Sequence, residues 1–194
     1  MEAFDRPRLL LYRLDRPLDP LAAFEIRTPE GAVLGRAAEE CSSAGLRVLK
    51  RTRLRQTSPL VLHVEGPDGA PAFTLEREWD WWGTKPVRVL RPGGSSLFVL
   101  RHEGRVFLRT RVEAPGGRGL ATVHTLQRWV LWDLRYELRD PEGTPVAHVC
   151  WFVDSRWSSI RRGEVRVQER GASPPWPVVA LAVALYLGLG IARR

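Results

Sequence analysis

One stretch of the sequence decides the fold: Tyr136-Glu137-Leu138-Arg139-Asp140-Pro141-Glu142-Gly143-Thr144-Pro145-Val146-Ala147. An alternating apolar and polar run lies on each side of its Pro-Glu-Gly centre. Alternation places the apolar side chains of a strand on one face. Proline presets the backbone for a turn position, and glycine supplies the positive φ that tight turns need. The stretch therefore predicts a β-hairpin with one apolar face.

The same pattern occurs at three earlier places in the chain, at residues 24–35, 62–73 and 87–98. With the other alternating runs it gives about ten to twelve candidate strands, and no long amphipathic helix separates them. A series of hairpins must pack its apolar faces against something. The sequence therefore predicts a single, mainly β, antiparallel domain.

The end of the chain differs from the rest, because residues 176–192 contain no charged side chain. Prolines precede this segment and Arg193 and Arg194 follow it, a pattern that favours a helix. The segment is apolar on all sides, so the helix must be buried in protein or in lipid. A helix of about 25 Å is at the short end for a membrane span, and it would also fill the lumen of a barrel of a dozen strands.

Repeated hairpins with an acidic-Gly turn, followed by one apolar C-terminal helix, resemble the tubby-like barrel superfamily, which includes the phospholipid scramblases and the LURP-one-related proteins. The resemblance covers roughly residues 21–191 and is carried by residues 24–31, 97–108, 136–151 and 178–191. It implies a closed antiparallel barrel of about twelve strands around a hydrophobic C-terminal helix.

This resemblance divides the chain into an N-terminal segment or first strand at residues 1–20 and a barrel at residues 21–194, with the central helix at 176–192. Animal scramblases carry an acidic calcium-binding segment near the last helix. Here residues 161–170 are mainly basic and offer too few carboxylates for a calcium site. The sequence also lacks a cysteine cluster for palmitoylation. Calcium-driven lipid scrambling is therefore not expected.

The chain carries a net charge of +8, and all its basic residues except Lys50 and Lys85 are arginines. Two explanations stay open for this composition: the codon bias of a GC-rich genome, and attraction to polyanions such as nucleic acid or anionic lipid. The N-terminal residues contain charges throughout and no apolar export signal, so the expected compartment is the cytoplasm.

Two groups of basic residues are candidates for binding lipid phosphates. The denser group follows residue 46, and on a strand most of its arginines would share one face. The alternative for this group is the solvated outer face of an edge strand, where positive charge prevents aggregation. The candidate lipid-binding residues are Arg47, Lys50, Arg51, Arg53, Arg55, Arg161 and Arg162.

The eight tryptophans include two dense groups, at residues 79–82 and 129–132. Exposed tryptophans locate at the headgroup level in membrane-binding proteins. With basic residues nearby, aromatic rings also suit single-stranded nucleic acid. The alternative is packing in the core and at the rim of the barrel.

Motifs for catalysis are absent from the sequence: it contains no phosphate-binding Walker loop, no dinucleotide-binding glycine motif and no HExxH zinc motif. Its four histidines are scattered over different candidate strands, and no cofactor or metal is expected. Cys41 and Cys150 are far apart in sequence, and buried free thiols are expected for them, although a disulfide stays open.

These observations predict a non-enzymatic, tubby-like or scramblase-like barrel that binds anionic phospholipid membranes peripherally. Arginines would capture the surface by electrostatic attraction, and tryptophans at the rim would enter the interface. One alternative is a structural or protein-binding module without a lipid role. Another alternative is a tail-anchored membrane protein, in which residues 176–192 would lie in the bilayer, or a phospholipid scramblase. Nucleic acid is less favoured as a partner.

Overall fold

A computed structural model describes the chain at residues 2–14, 21–50, 57–80, 85–103, 109–127, 133–153, 160–168 and 175–191. These residues form a short 3-10 helix at Glu2–Phe4, twelve strands and two α-helices. The strands are β1 (Arg8–Arg13), β2 (Ala23–Arg27), β3 (Val33–Glu40), β4 (Leu60–Glu65), β5 (Pro71–Arg77), β6 (Val87–Leu90), β7 (Ser96–Glu103), β8 (Arg109–Glu113), β9 (Gly119–Gln127), β10 (Asp133–Arg139), β11 (Pro145–Val153) and β12 (Ile160–Val167), and the helices are α1 (Ala44–Lys50) and α2 (Trp176–Ile191).

The twelve strands form one closed antiparallel barrel. Each strand pairs with its neighbours in sequence, and β1 closes the barrel by pairing with both β2 and β12. Inward and outward side chains alternate as the sequence pattern predicts: on β4, Leu60, Leu62 and Val64 are buried and the residues between them are not. The mainly β fold and the closed barrel of twelve strands are confirmed.

The two ends of the barrel differ because the strands run up and down in sequence order. Tight turns join β2 to β3, β4 to β5, β6 to β7, β8 to β9 and β10 to β11 at one end, which we call the turn end. Their glycines take the positive φ that the hairpin pattern predicts, as in Gly31 at 94° and Gly143 at 85°. At the other end, which we call the loop end, the odd-numbered strands finish and the even-numbered strands begin.

Helix α2 lies inside the barrel. From Val179 to Leu185 every residue is at most 1% exposed to solvent. This run makes about two helical turns, so protein covers the helix on all sides there. Its side chains belong to one apolar core with inward residues of the strands, such as Leu9 and Leu62. The apolar C-terminal segment is therefore the centre of the barrel, as predicted.

Trp151 on β11 connects this helix to the barrel wall. Its side chain is fully buried, and its Nε1 donates a hydrogen bond to the carbonyl oxygen of Ala184 at 3.1 Å. A Cβ atom built on Gly163 of β12 would lie 2.9 Å from the indole, and one built on Gly188 of α2 would lie 2.5 Å from it. Both distances are too short for a real side chain, so the indole needs glycine on both sides.

The C-terminal part of α2 points to the loop end. Arg13, the last residue of β1, donates from Nη1 to the carbonyl oxygen of Gly188 at 3.4 Å. A cation at this position suits the negative end of the helix dipole. Burial raises the pKa of the Tyr186 phenol, which also bonds to Arg77. No helix among the described residues is both long and apolar enough to cross a bilayer.

Candidate binding surfaces

The basic run that begins at Arg47 was interpreted as a strand, but its first residues form a helix. Arg47 and Lys50 lie on helix α1. Ser43 precedes this helix, and its Oγ accepts a hydrogen bond from the backbone N–H of the residue three positions later, at 3.2 Å. Serine is a preferred residue at a helix start for this reason. The predictions for Arg51, Arg53 and Arg55 fall on residues outside those that the structure describes.

Lys50 is not a surface residue, which corrects its assignment as a lipid-binding candidate. It is 1% exposed, and its Nζ lies 2.6 Å from Oε1 of Glu39. The other oxygen of Glu39 accepts a hydrogen bond from the backbone N–H of Ala22 at 2.8 Å. A buried carboxylate needs a cation and hydrogen bonds to compensate its lost hydration. Lys50 therefore fastens α1 to the barrel, while Arg47 remains exposed.

Arg162 lies on the outer face of β12, where its side chain is exposed. Its guanidinium group is 5.9 Å from the centre of the Phe152 ring on β11. The neighbouring candidate, Arg161, belongs to the same strand, but its side chain is outside the described part of the structure. The structure thus leaves Arg47 and Arg162 as the exposed members of the predicted set among the described side chains.

Exposed apolar side chains collect at the loop end. Four large apolar residues are exposed in the described part of the chain, and three of them are at this end. Leu14 follows β1 and is 53% exposed, Val48 on α1 is 62% exposed, and Leu126 near the end of β9 is 49% exposed. The fourth, Val33, begins β3 at the turn end and is 41% exposed.

Part or all of each chain segment that connects strands at the loop end is outside the described residues. Most of the predicted rim tryptophans are in the parts that the structure does not describe. Among the described tryptophans, Trp79 and Trp176 are half-buried and Trp151 is in the core. The sequence of the segments is also basic. The parts outside the described residues contain Arg16, Arg51, Arg53, Arg55, Arg105, Arg128 and Arg156, with Asp15, Asp19 and Asp154 as their acidic residues, and the described parts add the acidic residues Glu78 and Asp80.

The tight turns at the opposite end are acidic on balance. Glu30, Asp68, Asp140 and Glu142 lie in these turns, and the basic residues there are Arg91 and Arg118. A hydrogen bond from Thr28 is the largest of the effects that lower the pKa of Glu30. This end therefore carries a net negative charge on its turns, and it has fewer exposed large apolar side chains than the loop end among the described residues.

A second charged surface covers one side of the barrel, on five neighbouring strands: β10, β11, β12, β1 and β2. Buried carboxylates stand between its arginines. Oε1 of Glu164 accepts hydrogen bonds from Nε of both Arg8 and Arg166, at 2.5 and 2.6 Å. Glu25 binds Nε of Arg27, and Glu137 binds Nε of Arg139, both at 2.5 Å. We call this surface the arginine wall; its arginines are Arg8, Arg27, Arg135, Arg139, Arg162 and Arg166.

Hydrogen bonds to the buried carboxylates orient arginines of this wall outward. Burial alone would raise the pKa of Glu164, but the hydrogen bonds from Arg166 and Arg8 outweigh it and lower that pKa. The same contact raises the pKa of Arg166. The side chain of Glu164 is 6% exposed, whereas Arg8 and Arg166 are 45% and 63% exposed. Each buried carboxylate thus holds its guanidinium groups in place at the surface of the barrel.

Sequence reasoning did not identify the wall, although the chain contains a signal for it. The triplet acidic–aliphatic–arginine occurs at residues 25–27, 133–135, 137–139 and 164–166. On a strand the first and third residues share a face, so each triplet predicts an acidic–arginine pair on the outside. Strand order was the missing information, because only the closed barrel brings these strands together.

Histidines and cysteines do not gather into a site within the described residues. His63 binds Glu40 at 2.7 Å, and His148 binds Gln168 at 2.8 Å, on different parts of the barrel. No group of three or more metal-ligating side chains occurs among the residues that the structure describes. Cys41 and Cys150 are both free thiols.

No protein-family model, curated protein or solved structure matches this chain. The arrangement of side chains therefore has to carry the functional argument. It offers two distinct surfaces: an end of the barrel with exposed apolar residues, and a side with oriented arginines.

Proposed function

We propose that this protein is a non-enzymatic barrel that docks peripherally on anionic phospholipid membranes with its loop end. The observation that carries the proposal is the position of the exposed apolar residues. Leu14 follows β1, Val48 is on α1 and Leu126 is on β9, yet all three are at this end. Apolar side chains that rim a basic surface are suited to enter the boundary between headgroups and acyl chains.

Electrostatic attraction supports the same orientation. Arg47 is exposed on α1 beside Val48, and the sequence that follows α1 contains three further arginines, Arg51, Arg53 and Arg55. Basic residues near an anionic bilayer contribute about 1 kcal/mol each. The acidic turns at the opposite end favour the same orientation, because an anionic surface repels them. Helix α2 stays inside the barrel, so docking requires no insertion of a helix.

The contribution of the apolar residues follows from their exposure. Complete burial of a Leu or Val side chain contributes about 1.5–3 kcal/mol, so a half-exposed side chain has about 1 kcal/mol left to gain. A variant with Leu14→Asp and Val48→Asp loses about 2 kcal/mol of this apolar contribution to membrane binding. Two new negative charges near the bilayer add about 2 kcal/mol of repulsion. Together these changes predict a loss of roughly a thousandfold in vesicle affinity.

The test is co-sedimentation with vesicles of phosphatidylcholine containing phosphatidylserine, at physiological salt. Wild-type protein should sediment with these vesicles, and the Leu14→Asp/Val48→Asp variant should stay in the supernatant. Val33→Asp is the matched control, because Val33 is an exposed valine at the turn end and its substitution should leave binding unchanged. Absence of wild-type binding, or equal loss in the control, would disprove the proposed docking surface.

A further inference from the structure

We infer that the arginine wall is a second binding surface, which takes an extended, carboxylate-rich segment of a partner protein. This inference does not rest on membrane docking, because the wall and the loop end are different surfaces made of different residues. It rests on four features of the wall: oriented guanidinium groups, an excess of positive charge, the spacing of the strands and the coverage of its aromatic rings by arginine side chains.

Orientation makes the guanidinium groups ready to bind. Each buried carboxylate accepts a hydrogen bond from Nε of an arginine, as Glu25 does from Arg27 and Glu137 from Arg139. A guanidinium has five N–H donors in a fixed plane, and carboxylates match two of them at a time. Because these arginines are 40% and 41% exposed, donors remain at the surface for a second carboxylate. Arginines that are already oriented lose less side-chain entropy on binding.

The wall has an excess of positive charge. Among its described side chains, six arginines stand against four carboxylates, those of Glu25, Asp133, Glu137 and Glu164. The turns that border it carry Glu30, Asp140 and Glu142, so the excess is confined to the strands themselves. An anionic ligand would therefore lie across the strands and away from the turns.

Spacing favours an extended peptide. Arg8 on β1 is directly opposite Arg166 on β12, and Arg27 lies on the next strand, opposite Leu10. Neighbouring strands are about 4.8 Å apart, and alternate side chains of an extended peptide are about 6.6 Å apart. Long arginine side chains cover the difference, so acidic residues at alternate positions of a peptide can each meet a guanidinium group.

The aromatic rings of the wall favour a protein over a nucleic acid. Single-stranded nucleic acid binds by stacking its bases on open aromatic faces. Here Arg27 covers the ring of Tyr12 at 5.3 Å, and Arg162 covers the ring of Phe152 at 5.9 Å. Exposed arginine beside tyrosine and phenylalanine is instead typical of protein interfaces. Leu10, the large aliphatic residue among them, is only 5% exposed and has nothing to insert into a bilayer.

The test uses a fluorescein-labelled peptide of twelve residues with glutamate at alternate positions, and measures its binding by fluorescence anisotropy. The variant Arg27→Gln/Arg139→Gln/Arg166→Gln should bind the peptide about tenfold more weakly, because three charge pairs are lost. The matched control Arg88→Gln/Arg91→Gln/Arg101→Gln removes three exposed arginines from the other side of the barrel and should change the affinity by less than about twofold.

Thermal unfolding of both variants checks that they are folded. If the glutamine variant is unfolded, Arg27→Lys/Arg139→Lys/Arg166→Lys takes its place; it keeps the charge and should still weaken binding, because lysine lacks the planar fork. The inference is overturned if the wild type does not bind the peptide, or if both triple variants lose affinity equally. It is also overturned if the wall variant keeps peptide binding but loses oligothymidylate or vesicle binding, which would assign the wall to nucleic acid or lipid.

Discussion

Substitution of Gly188 by alanine tests whether α2 lies against Trp151 inside the barrel. In an isolated helix this change is favourable, because alanine stabilises a helix by about 1 kcal/mol relative to glycine. In the barrel the new Cβ would lie 2.5 Å from Cζ2 and 2.8 Å from Cη2 of the indole. These atoms belong to a fully buried ring, and protein cores are close-packed, so the ring cannot shift without moving its neighbours.

The size of the effect follows from these two opposing terms. Overpacking of a core costs about 1–3 kcal/mol, and the short distance places this site at the upper end. After subtraction of the helix propensity, Gly188→Ala should destabilise the protein by about 2 kcal/mol. For a chain of this length that lowers the unfolding temperature by about 4–8 °C.

A double-mutant cycle with Trp151→Phe identifies the cause. Phenylalanine lacks the outer part of the indole that meets Gly188, so in that background Gly188→Ala should stabilise the protein by up to about 1 kcal/mol. The coupling free energy would then be about 3 kcal/mol. Urea denaturation followed by circular dichroism measures all four variants. Gly45→Ala on α1 is the control, since no atom lies within 4 Å of its added Cβ, and it should be neutral or stabilising. A Gly188→Ala variant that is stabilised in both backgrounds would refute the packing of α2 against Trp151.

Two further predictions concern the buried charges. Lys50→Met removes the cation from the buried Glu39 carboxylate and should destabilise the protein by about 3–5 kcal/mol. Arg47→Met, on the exposed face of the same helix, is the control and should change the stability by less than about 0.5 kcal/mol. Equal effects of the two substitutions would contradict the burial of Lys50. The lowered pKa of Glu164 means that its contribution to stability is present above the pKa of an unfolded glutamate and is lost as the pH falls through the folded pKa. The unfolding temperature of the wild type should therefore fall more steeply on acidification than that of Glu164→Gln. Parallel pH profiles of the two proteins would count against the two arginine contacts.

The sequence predicted the hairpins well because their information is local. Alternating side chains and a turn glycine determine each hairpin within about a dozen residues. The turns at Gly31 and Gly143 have the expected positive φ. The apolar segment predicted at 176–192 forms α2, which ends at Ile191, and its all-round apolar character matches its position inside the barrel.

The binding surfaces were less predictable because they depend on contacts between distant residues. Lys50 was interpreted as a surface charge, since its buried partner Glu39 lies on another element. The helix start at Ser43 was missed because a run of alternating basic residues also fits a strand. Arg8 and Arg166 share Glu164 only because the first and last strands meet when the barrel closes. Alternation predicts which residues point outward, but it does not predict which of them are neighbours.

The orientation of the protein on a membrane can be measured directly with nitroxide labels at two valines. In a background with Cys41→Ser and Cys150→Ser, single cysteines replace Val48 at the loop end and Val33 at the turn end. Electron paramagnetic resonance then compares how far oxygen and a water-soluble nickel complex reach each label on vesicles that contain phosphatidylserine. We expect the label at Val48 to become accessible to oxygen and protected from nickel, while the label at Val33 stays in water. If both labels stay in water, or if only the label at Val33 enters the bilayer, docking through the loop end is contradicted.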